Sequence, residues 1–337
     1  TDGSSVVFGN SVSGNFQFIA AGHAINGSDF VYGNNHSVYL IGSSVGETII
    51  GSAYGDPIQG EGGDDILIGG LGADAIHGGA GRDTFVIRTA AESNATGYDN
   101  YYDFTTGEDR IDLTALNTTA ISVLRQTDGS SVIFGNSASG DFQFIAAGRA
   151  INGGDFAYGN NHSVFMVGSE AGETLIGSNN ADPILGGGGD DIVIGGGGAD
   201  SLEGGAGRDT FRYRAASEST LAFSDRIQDF AAGVDKIDLT GVRSGPADKY
   251  GIAYDAGGSF LYVDIGGDGT NDMLIQLKNV NLTAADVMWE PQSASSQPHS
   301  ALAFDLWANH THVPANDSDV PIEWVYCMNS QDQAWLL

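Results

Sequence analysis

The chain has 337 residues with 51 glycines, and its 13 basic and 43 acidic side chains give a formal net charge of −30. This charge argues against nucleic acid and anionic membranes as partners, because both are bound through basic patches. The single cysteine, Cys327, excludes an intrachain disulfide, and no apolar run approaches the ~18 residues of a membrane span, so membrane insertion is not expected.

Residues 1–32 are interpreted as the end of a truncated preceding module. The stretch 1–126 recurs without a gap at an offset of 126, so that residues 1–10, TDGSSVVFGN, return as residues 127–136, TDGSSVIFGN. A duplicated module explains this recurrence. On this interpretation the chain starts inside a repeating unit, and we expect further sequence upstream of Thr1.

Nine-residue rows that begin with glycine fill two blocks of the chain. The best rows read Gly-Gly-x-Gly-x-Asp-x-U-x with U a large apolar residue, as in residues 69–77, GGLGADAIH, a pattern typical of a calcium-binding parallel β-helix. The eighth position is apolar in all twelve rows, which predicts a short strand with its middle side chain pointing inward. The rows start at Gly33, Gly42, Gly51, Gly60, Gly69 and Gly78, and again at Gly159, Gly168, Gly177, Gly186, Gly195 and Gly204.

The six residues before each strand must turn the chain, and glycine supplies the positive φ that such turns need. Two rows therefore form one flattened coil, which places sixth-position carboxylates eighteen residues apart side by side. At ~4 Å and an effective dielectric near 20, two such charges repel by roughly 4 kcal/mol. The predicted neighbours are Glu47 with Asp65, Asp65 with Asp83, Asp56 with Asp74, Glu173 with Asp191, Asp191 with Asp209, and Asp182 with Asp200.

A hard divalent cation with oxygen ligands would remove this repulsion, and a flexible oxygen shell suits Ca²⁺ better than octahedral Mg²⁺. We therefore predict about six Ca²⁺ sites within the coils, built from these carboxylates and glycine carbonyls. The first row of each block has Val38 or Val164 at the sixth position and is predicted to be a cap. The predicted glycine ligands are Gly60, Gly69, Gly70, Gly72, Gly78, Gly79, Gly81, Gly186, Gly187, Gly189, Gly195, Gly196, Gly198, Gly204, Gly205 and Gly207.

Each block is followed by Asp-Phe-x4-Asp-x-Ile-Asp-Leu-Thr, at residues 103–114 and 229–240, whose alternation predicts a strand. A hairpin is predicted from residues 260–265 and 273–277. Because a solenoid end exposes open sheet edges, we expect these segments to cap the coils. Four carboxylates in them either complete a further calcium site at the coil end or are ordinary surface groups: Asp99, Asp103, Asp225 and Asp229.

Residues 291–337 contain no glycine, lysine or arginine and are interpreted either as an uncleaved secretion signal or as a disordered extension. The predicted fold is therefore all-β, with tandem parallel β-rolls, each followed by a β-hairpin cap, and an irregular C-terminal tail. The predicted domains are residues 1–32, 33–158, 159–290 and 291–337.

Catalytic motifs are largely absent from the sequence. It contains neither His-Glu-x-x-His nor a phosphate-binding loop. Residues 42–46, GSSVG, match the serine-hydrolase elbow, but the duplicate carries Glu170 at the serine position, so we interpret the match as accidental. Residues 264–272 superficially match an EF-hand loop, and a hairpin turn is the better interpretation. We expect no enzymatic activity from this chain.

The rows, the Gly-Arg-Asp-Thr-Phe segments, the cap motif and the closing residues 282–287, LTAADV, resemble the repeats-in-toxin (RTX) family. The likeness is greatest to the C-terminal β-roll domain of serralysin-type proteases and to R-modules of secreted mannuronan C5-epimerases. It implies an extracellular protein of a Gram-negative bacterium that leaves through a type I ABC exporter, folds on calcium and supports an upstream enzyme domain.

The sequence leaves two other functions open. One is binding of an anionic polysaccharide such as alginate, and the other is a structural role in a surface layer or adhesin. Tandem copies would give a polysaccharide-binding module avidity. Cations are scarce, and the candidates for polysaccharide binding are Arg82, Arg88, Arg110 and Arg125 with Arg208, Arg214 and Lys236.

Overall fold

The computed structural model describes residues 5–11, 14–20, 37–158, 162–289, 302–303 and 325–327, with side chains in 37–158 and 162–289. Most of the predicted truncated module and of the predicted C-terminal tail lies outside these residues. The chain divides into two compact units, Thr1–Val167 and Gly168–Leu337. The predicted domain boundaries fall on or beside residues outside the described ranges and stay predictions.

The described residues are all-β, as predicted, with helical structure limited to short 3-10 turns. These turns are Thr114–Leu116, Gly153–Asp155, Ala216–Glu218 and Ala284–Asp286. No described helix is long and apolar enough to cross a membrane.

The strands of the first unit are β1 (Ser5–Ser11), β2 (Gly14–Ala20), β3 (Tyr39–Ile41), β4 (Thr48–Ile50), β5 (Pro57–Gln59), β6 (Ile66–Ile68), β7 (Ala75–His77), β8 (Thr84–Val86), β9 (Asp99–Tyr101), β10 (Arg110–Asp112), β11 (Thr118–Arg125), β12 (Ser131–Ser137), β13 (Gly140–Ala146), β14 (Phe156–Ala157) and β15 (Val164–Val167). Strands β3, β5, β7 and β9 stack in parallel on one side of the coil. Strands β4, β6, β8, β10 and β14 stack in parallel on the other side.

The strands of the second unit are β16 (Thr174–Ile176), β17 (Pro183–Leu185), β18 (Ile192–Ile194), β19 (Ser201–Glu203), β20 (Thr210–Arg212), β21 (Asp225–Ile227), β22 (Lys236–Asp238), β23 (Lys249–Asp255), β24 (Gly258–Asp264), β25 (Met273–Lys278), β26 (Val287–Met288), β27 (Leu302–Ala303) and β28 (Val325–Cys327). One parallel stack runs through β17, β19, β21 and β25. The other runs through β16, β18, β20, β22 and β26.

The offset of eighteen residues predicted for stacked rows is the register observed in both units. Ile58 pairs with Ile76, and Val193 pairs with Phe211. The apolar residue at the eighth position of every row is buried, with at most 5% of its surface exposed. Each such side chain contributes roughly 1.5–3 kcal/mol through burial, so the coil interior is a continuous column of apolar side chains.

An antiparallel meander closes each coil, as the cap motifs predict. In the first unit β11, β12 and β13 form the meander, and β13 continues the stack by pairing in parallel with β9. Aromatic rings join the cap to the coil, since Tyr101 lies 4.6 Å from Phe85 and 5.0 Å from Phe144 between ring centroids. In the second unit the predicted hairpin is formed by β24 and β25. The EF-hand-like segment is a turn in which Asp264 accepts the backbone N–H groups of Asp268 and Gly269.

Candidate metal-binding turns

The sixth-position carboxylates stack in two columns in each unit, one on either side of the coil. In each stacked pair the later carboxylate accepts the backbone N–H of the earlier residue: Asp56 donates to Asp74 Oδ1 at 2.7 Å and Asp65 donates to Asp83 Oδ1 at 2.9 Å. The same bond joins each of the other predicted pairs, Glu47 with Asp65, Glu173 with Asp191, Asp182 with Asp200, and Asp191 with Asp209. The structure therefore brings together all six carboxylate pairs that the register predicts.

The aspartates of these columns are almost completely buried, whereas Glu47 and Glu173 are half-buried. Burying an ionised carboxylate is expensive unless both of its oxygens find partners. Six row aspartates have a buried Oδ2 with no hydrogen-bond partner, and they are Asp65, Asp74, Asp83, Asp191, Asp200 and Asp209. A positive charge beside these oxygens would remove the penalty, so this donor set fits a hard cation.

Glycines form the remaining wall of each turn. A β-carbon at Gly69 would overlap Oδ2 of Asp74, and one at Gly51 would overlap the carbonyl oxygen of Gly69. The same overlap with the carboxylate of the row would occur at Gly60, Gly78, Gly186, Gly195 and Gly204. The glycines predicted as ligands at the second and fourth positions of their rows all have positive φ. They are Gly70, Gly72, Gly79, Gly81, Gly187, Gly189, Gly196, Gly198, Gly205 and Gly207. The glycines thus leave a space beside each carboxylate, and the β-carbon of any other residue at these positions would fill that space.

The electrostatics of the columns agree with this geometry. Burial raises the pKa of Asp65 to about 7 in spite of a hydrogen bond from the Glu47 N–H, which lowers it, and the charges of Asp83 and Glu47 raise it further. Burial likewise raises the pKa of Asp74 and of Asp200 to about 7, and that of Asp191 to about 6. These carboxylates need either a proton or a cation to be stable in the folded coil.

The columns continue into the caps, beyond the nine-residue rows. Asp74 donates its N–H to Asp99 at 3.0 Å, and Asp83 donates to Asp109 at 2.9 Å. In the second unit the corresponding acceptors are Asp225 and Asp235. Burial raises the pKa of Asp99 and of Asp225 to about 9, and Asp225 also has a buried Oδ2 without a partner.

Sequence reasoning left Asp99 and Asp225 open and missed Asp109 and Asp235 as members of the columns. Asp99 lies 25 residues after Asp74, and Asp109 lies 26 residues after Asp83. A fixed register of 18 residues therefore does not find them. One local signal was available, because Asp109 directly precedes a three-residue strand, as row aspartates do. Asp103 has a different position and accepts the N–H groups of Gly78 and Gly79, and Asp229 accepts those of Gly204 and Gly205.

Among the described residues, no group of three or more histidine, cysteine, aspartate or glutamate side chains is arranged to hold a metal ion. The carboxylates come together in pairs, so a cation in these turns would draw its other ligands from backbone oxygens.

Several cations proposed for polysaccharide binding are paired with carboxylates. Arg82 contacts Asp64 at 3.0 Å and Arg208 contacts Asp190 at 2.9 Å, both on the surface. Arg88 and Arg214 each contact the glutamate four residues later, Lys236 lies 3.6 Å from Asp286, and Arg125 is buried. These contacts reduce the positive charge that the coils can offer to an anionic polymer.

The family model described as peptidase M10 serralysin C terminal matches residues 42–147 and 167–289. No curated protein sequence matches the chain significantly.

Similar solved structures include two R-module subunits of a mannuronan C5-epimerase from Azotobacter vinelandii, AlgE6R3 and AlgE6R2, each 24% identical to this chain. The first covers 47% of this chain and 92% of its own length with a TM-score of 0.33, and the second covers 35% and 90% with a TM-score of 0.29. The extracellular lipase LipA from Serratia marcescens is 16% identical over 74% of this chain and 39% of the lipase, with a TM-score of 0.21.

Proposed function

Because the chain belongs to the peptidase M10 serralysin C-terminal family, we propose that it is a noncatalytic, calcium-binding repeat region of a secreted protein. The observation that carries this proposal is the set of six buried row carboxylates whose Oδ2 atoms have no hydrogen-bond partner. Calcium takes six to eight oxygen ligands in flexible geometry, which suits paired carboxylates surrounded by glycine backbone.

Bound calcium would supply the positive charge that these buried carboxylates otherwise lack. The residues of the chain hold the carboxylates in place, since a backbone N–H fixes Oδ1 of Asp74 and of Asp83 and leaves Oδ2 turned toward the glycines. The carboxylates that would hold the ions are Asp65, Asp74 and Asp83 in the first unit and Asp191, Asp200 and Asp209 in the second.

This arrangement couples folding to calcium. Without a cation the folded coil must bury several uncompensated charges, so binding free energy becomes folding free energy. Extracellular modules bind calcium with dissociation constants of roughly 0.1–1 mM, well above the calcium level of a cytosol. We therefore propose export of an unfolded chain by a type I ABC exporter, followed by folding outside the cell in support of an upstream enzyme domain.

The test is a calcium titration followed by far-ultraviolet circular dichroism, with magnesium as the control cation. We expect a cooperative gain of β-structure at roughly 0.1–1 mM calcium and a much weaker response to magnesium. Full β-structure in a chelator, unchanged on adding calcium, would contradict the proposal.

A groove in the second unit favours a second candidate function, which is binding of an anionic polysaccharide. The groove has a volume of about 260 Å³ and is lined by the exposed cations Arg226 and Lys278, by Phe260 and Gln276, and by one carboxylate, Asp255. Arg226 donates to Gln276 Oε1 at 3.1 Å, and Phe260 stacks with Tyr262 at 6.5 Å between centroids. A guanidinium can bind a sugar carboxylate through paired hydrogen bonds, and an aromatic face can cover a sugar ring.

Binding of alginate oligomers, measured by calorimetry at saturating calcium, tests this second function. We expect the double substitution Arg226→Gln and Lys278→Gln to weaken binding at least tenfold, while Arg82→Gln on the coil surface leaves it unchanged. Equal binding of a neutral glucan would contradict recognition of the carboxylates.

A further inference from the structure

The ten row carboxylates fall into two classes that differ in how their second oxygen is satisfied. Four of them accept the N–H of a serine at the second position of their own row. Ser52 donates to Asp56 Oδ2 and Ser178 donates to Asp182 Oδ2, each at 2.5 Å. Ser43 and Ser169 donate to Glu47 and Glu173 at 2.7 Å and 2.9 Å, and their hydroxyls also donate to the second carboxylate oxygen. We name these four the serine-closed turns.

The other six turns, which we name the open turns, start at Gly60, Gly69, Gly78, Gly186, Gly195 and Gly204. Their carboxylates keep a buried Oδ2 without a hydrogen-bond partner. In every open turn the residues at the second and fourth positions have positive φ, as Gly70 does at 91° and Gly72 at 123°.

The local sequence explains why the two classes fold differently. A residue with a β-carbon is disfavoured at positive φ by roughly 1–2 kcal/mol, and serine readily forms local hydrogen-bonded turns with ordinary φ. All four serine-closed turns also lack glycine at the fourth position, where they carry Val45, Tyr54, Ala171 or Asn180. Glu61 is the one open-turn residue that has a side chain at the second position, and it is held at φ 74° beside Gly63 at 102°.

The classes are also segregated along each coil. The serine-closed turns start at Gly42 and Gly51 in the first unit and at Gly168 and Gly177 in the second, so they come first in each coil. The three open turns of each unit follow and lead directly into the cap.

We propose that calcium binds only at the open turns, and that the serine-closed turns are metal-free turns satisfied by the protein's own donors. This inference rests on the proposed calcium-binding function. A cation at Asp56 or Glu47 would compete with charge-assisted hydrogen bonds from the serine, whereas Asp65 and Asp74 offer an oxygen with no other partner. Four carboxylates that the nine-residue register predicts as ligands, Glu47, Asp56, Glu173 and Asp182, therefore do not bind metal.

The chain provides a matched pair of substitutions for the test. Asp56 and Asp74 are consecutive members of one column, and each is 1% exposed. Bound calcium is counted by equilibrium dialysis against 2 to 5 mM calcium, a range above the dissociation constants of extracellular sites, which are roughly 0.1–1 mM. We expect Asp74→Asn to bind about one calcium ion fewer per chain and Asp56→Asn to bind as many as the unsubstituted chain. The pair Asp200→Asn and Asp182→Asn repeats the comparison in the second unit.

A gain-of-binding variant protects the test against a substitution that merely unfolds the chain. Ser52→Gly combined with Tyr54→Gly places glycine at both positions that have positive φ in the open turns. We expect this variant to bind about one ion more per chain.

The outcomes separate the two proposals. If the unsubstituted chain binds no calcium, the proposed function itself is wrong. If that chain binds calcium but Asp56→Asn loses as much of it as Asp74→Asn, or the double glycine variant gains none, the distinction between open and serine-closed turns is overturned while calcium binding stands.

Discussion

Replacing Asp74 with asparagine should change the stability of the first unit in opposite directions in the absence and in the presence of calcium. Without a cation the ionised carboxylate is a buried charge whose Oδ2 has no partner. Asparagine has nearly the same shape and no charge, so the metal-free coil should become more stable. With calcium present, the same substitution removes a proposed calcium ligand and should make the coil less stable.

The size of the effect follows from the pKa of this group. Burial, reinforced by the charge of Asp56, raises the pKa of Asp74 from 3.8 to about 7. A pKa difference of about three corresponds to roughly 4 kcal/mol against the charged form at pH 8. Asp74 titrates together with its neighbours Asp56 and Asp99, so part of the cost of its charge is already avoided by protonation within this group. We therefore expect Asp74→Asn to stabilise the metal-free state by about 2 kcal/mol.

The assay is refolding driven by an osmolyte in chelator at pH 8, followed by circular dichroism and compared with urea unfolding in excess calcium. Asp64→Asn is the control because it removes the same charge from the surface of a neighbouring turn, where Arg82 pairs with it. That variant should change stability by less than about 1 kcal/mol under either condition. If Asp74→Asn lowers stability equally with and without calcium, the reasoning about uncompensated buried charge is wrong.

Three further outcomes follow from the same geometry. In chelator the coil should be more stable at pH 5 than at pH 8, because burial raises the pKa of Asp74 to about 7 and that of Asp99 to about 9. The stability that the protonated forms of these two carboxyls contribute is complete below about pH 4 and is lost as the pH rises through the two raised pKa values. More β-structure at pH 8 than at pH 5, measured by circular dichroism, would contradict this. Gly69→Ala should weaken calcium binding at least tenfold in a titration because its β-carbon would overlap the row carboxylate, whereas Gly154→Ala, which meets no atom within 4 Å, should not. Phe144→Ala should destabilise the first unit by roughly 3–5 kcal/mol in urea unfolding, and Phe134→Ala, at a side chain that is 44% exposed, by much less; equal losses would show that the aromatic contact between cap and coil is unimportant.

The amino-acid sequence by itself determined the coil. A nine-residue period with glycine at the turns and one apolar residue per row has a single compact solution, in which that residue points inward and every second row stacks. Ile58 above Ile76 and Asp56 beside Asp74 follow directly from it. The pairing is local and periodic, so no knowledge of distant contacts is needed.

Tertiary structure decided where the columns end and which carboxylates are already satisfied. Asp99 and Asp109 join the columns because the segment between them is placed by packing of Tyr101 and Phe104 on Phe85, at 4.6 Å and 5.6 Å between ring centroids. The division between open and serine-closed turns depends on φ at two positions and on hydrogen bonds formed in the folded turn. A nine-residue register counts residues and carries no information on the direction of an N–H group. The sequence difference between the rows of Asp56 and Asp74, Ser52 in place of Gly70, therefore acquires its meaning only when the Ser52 N–H is seen to reach Asp56 Oδ2.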